Sequence, residues 1–87
     1  MLKTDRIIKA EKRGAPIFSF QYNGKARNVQ IGTREAQDHG ASWGTPISKS
    51  LISHNGNTYV VARDNNDSKV IKRFRVDKIE DRSIQGI

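Results

Sequence analysis

The chain is predicted to be mostly β, a small antiparallel β-barrel of five to six strands with a short N-terminal helix. Three observations lead there. Apolar and polar residues alternate over several short runs, the period of a strand with one buried face. Two Asn-Gly pairs, Asn23-Gly24 and Asn55-Gly56, lie between such runs, and a two-residue type I′ turn needs the positive φ that this pair accepts most readily. Turn formers recur at about ten-residue spacing without βαβ alternation, which favours a meander or barrel over a parallel sheet. There is no internal repeat and no low-complexity tract.

Met1 to Lys3 are expected to fray. Thr4 or Asp5 can cap a helix reaching about Arg13, with Gly14 as its stop and Pro16 confirming the break. Lys9, Lys12 and Arg13 fall in its last turns, where the helix dipole favours cations. So short a helix is marginal alone, so Ile7 and Ile8 must dock on a sheet. Ile17 to Tyr22 reads as a strand with Phe18, Phe20 and Tyr22 on one face, and the return strand spans Lys25 to Gly32. Thr33 to Thr45, with two glycines, mixed charges and the single tryptophan, reads as a long loop. Trp43 is then either a plug closing one end of the barrel or a stacking platform. Pro46 to Ser53 reads as one strand, with Ile52 breaking the alternation as a bulge or a twist near the strand end and Ser48, Ser50 and Ser53 on a solvated face. Thr58 to Arg63 and Val70 to Val76 are predicted strands around a polar loop, Asp64 to Ser68. A tight turn over Val76 to Ile79, a last strand over Glu80 to Ile84 and a tail from Gln85 to Ile87 complete the chain.

At 87 residues the chain makes one domain, burying roughly 60–65% of its unfolded surface. Its mean hydropathy of −0.73 is polar for a folded protein, but the ordered recurrence of Ile and Val argues against disorder. The absence of cysteine removes disulfide staples and thiolate metal sites. With no apolar run long enough for a membrane span or a signal-peptide core, the chain is expected to be soluble and cytoplasmic. Sixteen Lys and Arg against nine Asp and Glu give a net charge of +7, which favours an anionic partner: nucleic acid or a phosphorylated ligand.

Catalytic chemistry is not predicted. His39 and His54 lie in predicted loops without an evident nucleophile partner. No second histidine or carboxylate completes a metal set beside His39 and Asp38. Gly32, Gly40 and Gly44 lack the spacing of a phosphate loop. Asp64 and Asp67 flank Asn65-Asn66, a pattern of turn chemistry rather than of paired catalytic carboxylates. No cofactor and no metal is expected.

The hairpin from Asn57 to Ile79 is the functional focus. In an alternating strand Arg73 and Arg75 share a face with Ile71, while Val70, Phe74 and Val76 share the other. Two guanidinium groups about 7 Å apart can reach neighbouring phosphates, and Tyr59 could offer a ring to a base. Alternatively, Arg73 and Arg75 face solvent or pair with Asp77, Glu80 and Asp81, and Tyr59 is core.

Arg73-Phe74-Arg75-Val76-Asp77-Lys78-Ile79 resembles the Arg-Phe-Arg-Leu-Asp-Arg-Ile block of the WYL domain family, and Thr58-Tyr59-Val60 stands where that family has its namesake tripeptide. Arg27-Asn28-Val29 fits its early Arg-x-Val strand, so the resemblance covers residues 4 to 84. It implies an SH3-like or Sm-like barrel that senses a negatively charged ligand, a nucleotide or short single-stranded nucleic acid. Carried over by position, it points to Tyr59, Arg27, Arg73 and Arg75, with Arg63 as a neighbour and Trp43 as a stacking or lid residue. Thr58 in place of tryptophan removes one stacking surface. Ten helical residues cannot supply the family's usual helix-turn-helix, so regulation of transcription would run through a protein partner. An Sm-like RNA-binding ring, built by pairing open barrel edges into an oligomer, and an SH3-type peptide-binding module are the other readings.

Overall fold

Both Asn-Gly pairs reverse the chain in the computed structural model, which describes residues 2–14, 17–67 and 70–86. Met1, Pro16, Ser68 and Ile87, which figured in the predictions for the frayed start, the helix break, the polar loop and the tail, lie outside that range. Asn23 and Gly24 have φ of 51° and 77°, and Asn55 and Gly56 have φ of 49° and 79°. The first turn joins β1 (Ile17–Tyr22) to β2 (Lys25–Gln30), with Tyr22 opposite Lys25. The second joins β4 (Leu51–His54) to β5 (Asn57–Asp64), with His54 opposite Asn57.

The fold is mostly β: a curled antiparallel sheet, a half-barrel, with a short helix α1 (Lys3–Lys12) at the N-terminus. The sheet has seven strands rather than five or six, because two short ones, β3 (Thr45–Pro46) and β7 (Gln85–Gly86), add to it. Its order is β3-β4-β5-β2-β1-β7, with β6 (Ile71–Arg75) paired to β5. Leu51 and Phe74 both face Val60, and Ile52 and Arg75 both face Tyr59, so β4 and β6 lie on opposite edges of β5.

The concave face holds the main core. Phe18, Phe20, Val29, Leu51, Val60, Ala62 and Phe74 are buried there, joined by Ile7 and Ala10 of α1. Each such large apolar side chain contributes about 1.5–3 kcal/mol. The predicted cap of α1 is displaced: Leu2 precedes the helix without a side-chain bond. Lys3, expected to fray, is helical and donates to the Asp77 carbonyl at 3.0 Å.

Several of the predicted elements are corrected. Thr33 to Thr45 is not a loop: Arg34–Trp43 is helix α2, capped by the Thr33 hydroxyl, which accepts from the Ala36 amide. It lies on the convex face of the sheet, because its glycines let it approach. A Cβ on Gly40 would sit 2.8 Å from Ile52 Cδ1, and one on Gly44 2.4 Å from the Ser53 carbonyl oxygen. Pro46 to Ser53 is not one strand but the hairpin β3–β4, with Pro46 opposite Ile52. Ile52 is no bulge; it is buried under α2 while Leu51 points into the main core. Nor is the serine face solvated: Glu11 Oε1 accepts from the Ser48 hydroxyl and from both the amide and hydroxyl of Ser50, which is fully buried. Finally, the predicted strand Glu80 to Ile84 is a 3₁₀ turn, Asp81–Ser83, and Gln85 and Gly86 of the predicted tail pair with Ser19 and Phe18.

Gly44 has an extended backbone, φ −154°, so its need for glycine is steric. Gly44→Ala is expected to destabilise the fold by about 1–3 kcal/mol, read as a lower urea midpoint at unchanged m-value. An unchanged midpoint would show that α2 does not approach β4 this closely.

Candidate functional site

Alternation along β5 and β6 sorts the predicted residues onto two sides of the sheet. Tyr59, Val61 and Arg63 of β5 and Arg73 and Arg75 of β6 project from the convex face, the one α2 covers. Val61 is buried beneath Gly40, so helix and sheet meet along Ala36, Gly40, Ile52 and Val61. This packing places Trp43, the last residue of α2, among side chains from three adjacent strands.

Trp43 is half-buried and does not plug the barrel, which corrects that alternative. Its indole lies parallel to the His54 imidazole, centroids 3.9 Å apart and planes 16° apart. The Tyr59 ring meets it edge-on at 4.6 Å. The Arg73 guanidinium carbon lies 4.2 Å from its centroid, within the range of a cation–π contact. His54 and Arg73 rise from β4 and β6 on either side of β5, so the indole stands between them in a three-layer stack. Two hydrogen bonds fix the layers: His54 Nδ1 to the Trp43 carbonyl oxygen at 2.9 Å, and Arg73 Nε to His39 Nε2 at 3.1 Å. His39 and His54 therefore belong to this cluster. Sequence reasoning missed His39 because α2 was read as a loop, and His54 because it was read as part of the Asn-Gly turn rather than as the end of β4; the sign available was His39 four residues before Trp43, on one face of a helix.

The other predicted arginines have different partners. Arg75 is paired to Asp77 through both Nε and Nη2, at 3.1 and 2.8 Å, and also donates to Asn57 Oδ1 at 3.3 Å. Arg63 shares the convex face, and its Nε is buried without a hydrogen-bond partner among the described residues. Arg27 lies on the concave side, 3.6 Å from the carboxylate of Asp64 and with its guanidinium 6.0 Å from the Phe74 ring. The structure brings Trp43, Tyr59 and Arg73 together, keeps Arg63 and Arg75 on the same face, and separates Arg27 from them.

Asp64 is fully buried, so its charge needs partners. Lys72 Nζ lies 3.0 Å from Oδ2, and Oδ1 accepts from the Asn66 amide at 2.8 Å, the turn chemistry predicted for this loop. Lys72 also reaches Asp67 at 2.7 Å. Its hydrogen bond, more than its charge, holds the Asp67 carboxyl below the usual carboxylate range; Lys72 is raised in turn, first by Asp67 and then by Asp64.

Among the described residues no group of three or more His, Asp or Glu side chains could hold a metal, and no helix is long and apolar enough to cross a membrane. Comparison with family models, with curated proteins and with solved structures gives no match to this chain.

Removing the buried carboxylate would leave Arg27 without a carboxylate partner among the described residues and Lys72 with Asp67 alone. Asp64→Ala is expected to destabilise the fold by about 1–3 kcal/mol, measured by urea unfolding. A loss below about 1 kcal/mol, the range of an exposed pair, would contradict this role.

Proposed function

We propose that this chain is a ligand-sensing binding module. It recognises a negatively charged ligand, a nucleotide or short single-stranded nucleic acid, and passes its bound state to a regulatory protein partner in the control of transcription. The observation that carries this reading is the stack of His54, Trp43 and Arg73 beside Tyr59. It unites flat π-surfaces with a guanidinium that has no carboxylate partner among the described residues. Aromatic rings and arginine together suit a base and its phosphate: stacking is worth about 1–3 kcal/mol per base, and the guanidinium fork holds a phosphate through two bonds.

The net charge of +7 supports the same partner class by raising the rate of encounter with anions. The resemblance of residues 73–79 to the WYL block adds the regulatory setting. In this reading Trp43, Tyr59 and Arg73 carry the contacts and Arg63 flanks them. Arg75, already neutralised by Asp77, contributes less, and Arg27 serves Asp64.

Binding of a short single-stranded oligonucleotide is therefore expected to weaken with salt. The log–log slope is about −0.7 for each phosphate contact. Arg73→Ala should lower affinity about tenfold and reduce the slope by about 0.7, with a smaller effect of Arg75→Ala. A flat salt dependence, or full affinity in Arg73→Ala, would reject the proposal.

A further inference from the structure

The stack leaves the indole of Trp43 without a free face. His54 covers one side and the Arg73 guanidinium the other. A base can stack on Trp43 only if one of them moves. His54 is bonded to the backbone of Trp43 itself and sits next to a tight turn. Arg73 is exposed on a long flexible stem, and among the described residues a single side-chain hydrogen bond ties it, from Nε to His39 Nε2.

That bond fixes a protonation state. Arginine has only donors, so His39 Nε2 must accept, and His39 must be neutral with its proton on Nδ1. A proton on Nε2 would oppose two donors and two cations, and the bond would be lost. His54 differs: with Nδ1 donating to the Trp43 carbonyl, its Nε2 faces the Asn55 amide at 3.2 Å. That amide can rotate to offer its oxygen, so a second proton is tolerated there.

We infer that Trp43 and Arg73 are the two jaws of a base clamp and that His39 is its catch. Neutral His39 holds the guanidinium over the indole. Protonated His39 releases it, a nucleobase slides onto Trp43, and the freed guanidinium meets the adjoining phosphate. This rests on the nucleotide-type ligand proposed above and adds its regulation by pH. Uncovering the indole and adding positive charge beside a phosphate both favour the ligand, so affinity rises once His39 gains a proton.

The charged and titratable groups on the convex face that α2 covers, and on α2 itself, are Arg73 and Arg75 on β6, Tyr59 and Arg63 on β5, His54 on β4, and Arg34, Glu35 and Asp38 on α2. Asp38 and Arg75 already have partners in Arg34 and Asp77.

The test compares the wild type with His39→Gln, whose amide oxygen keeps an acceptor that does not titrate, and His39→Ala, which has none. The probe is a short oligothymidylate without terminal phosphate, so its own charge is constant with pH. Any contribution of His54 is common to all three proteins, and the difference between them isolates position 39. The wild type should bind about fivefold more tightly at about pH 5.5 than at about pH 8, the worth of one hydrogen bond, and His39→Gln should lack that gain. His39→Ala should bind at the higher pH nearly as the wild type does at the lower one. In the free wild type at the higher pH, nitrogen NMR should find the His39 proton on Nδ1. A proton on Nε2, or equal pH responses of the wild type and His39→Gln, overturns the clamp alone. An oligonucleotide that binds none of the three proteins at either pH overturns the clamp together with the ligand reading.

Discussion

The close approach of α2 to β4 and β5 is the constraint on which the convex face depends. Val60, Val61 and Ala62 are consecutive and all buried, which an alternating strand achieves only if both faces of its sheet are covered. The main core covers one face. α2 covers the other, and only because Gly40 on its sheet-facing side and Gly44 just past its end have no Cβ to hold it away. Glycine lowers the helix propensity of this segment by up to about 1 kcal/mol per residue. The burial of Ala36, Ile52 and Val61 offsets that cost, at about 25 cal/mol for each Å² of apolar surface removed from water. The position of Trp43 follows directly: at the last turn of a helix lying this low, its indole drops between His54 and Arg73.

Charge is divided between the two faces. On the concave side Arg27 and Lys72 neutralise a carboxylate that has no access to water. At the sheet ends Arg75 and Arg6 take Asp77 and Asp81, exposed pairs worth about 0–1 kcal/mol each. Arg73 instead rests on an aromatic ring and an imidazole. A cation–π contact at an exposed site is worth about 0.5–1 kcal/mol, less than charge-assisted bonds to an anion can supply. That difference makes Arg73 cheaper for an anion to displace than Arg75, which is held by Asp77.

Much of the fold was legible from local chemistry. The Asn-Gly turns were readable because their positive φ is a property of the residues themselves, and the faces of β1, β2 and β6 followed from alternation. Where tertiary contact decided the outcome, the reading failed. Gly40 and Gly44 look like loop residues until the surface they must clear is known. Ser50 looks solvated until Glu11 arrives from a helix 39 residues away in sequence. Leu51 and Ile52 look like a broken strand until both sides of the sheet are seen to be buried. The candidate site shows the same division. Arg73 and Arg75 were correctly set on one face, but alternation says nothing about partners, so Asp77 on Arg75 and His39 on Arg73 were open. Arg27 was grouped with them through the family resemblance, whereas its own alternation with Val29 already placed it on the core side.

The central claim is that α2 carries Trp43 beneath the Arg73 guanidinium. Proton NMR of the free protein tests it most directly, because a group held over an indole face is shielded by the ring current. The account predicts Arg73 side-chain protons shifted well upfield of an unstructured arginine, with cross-peaks to the indole of Trp43. Arg73 resonances at unstructured positions, with no contact to that ring, would contradict it.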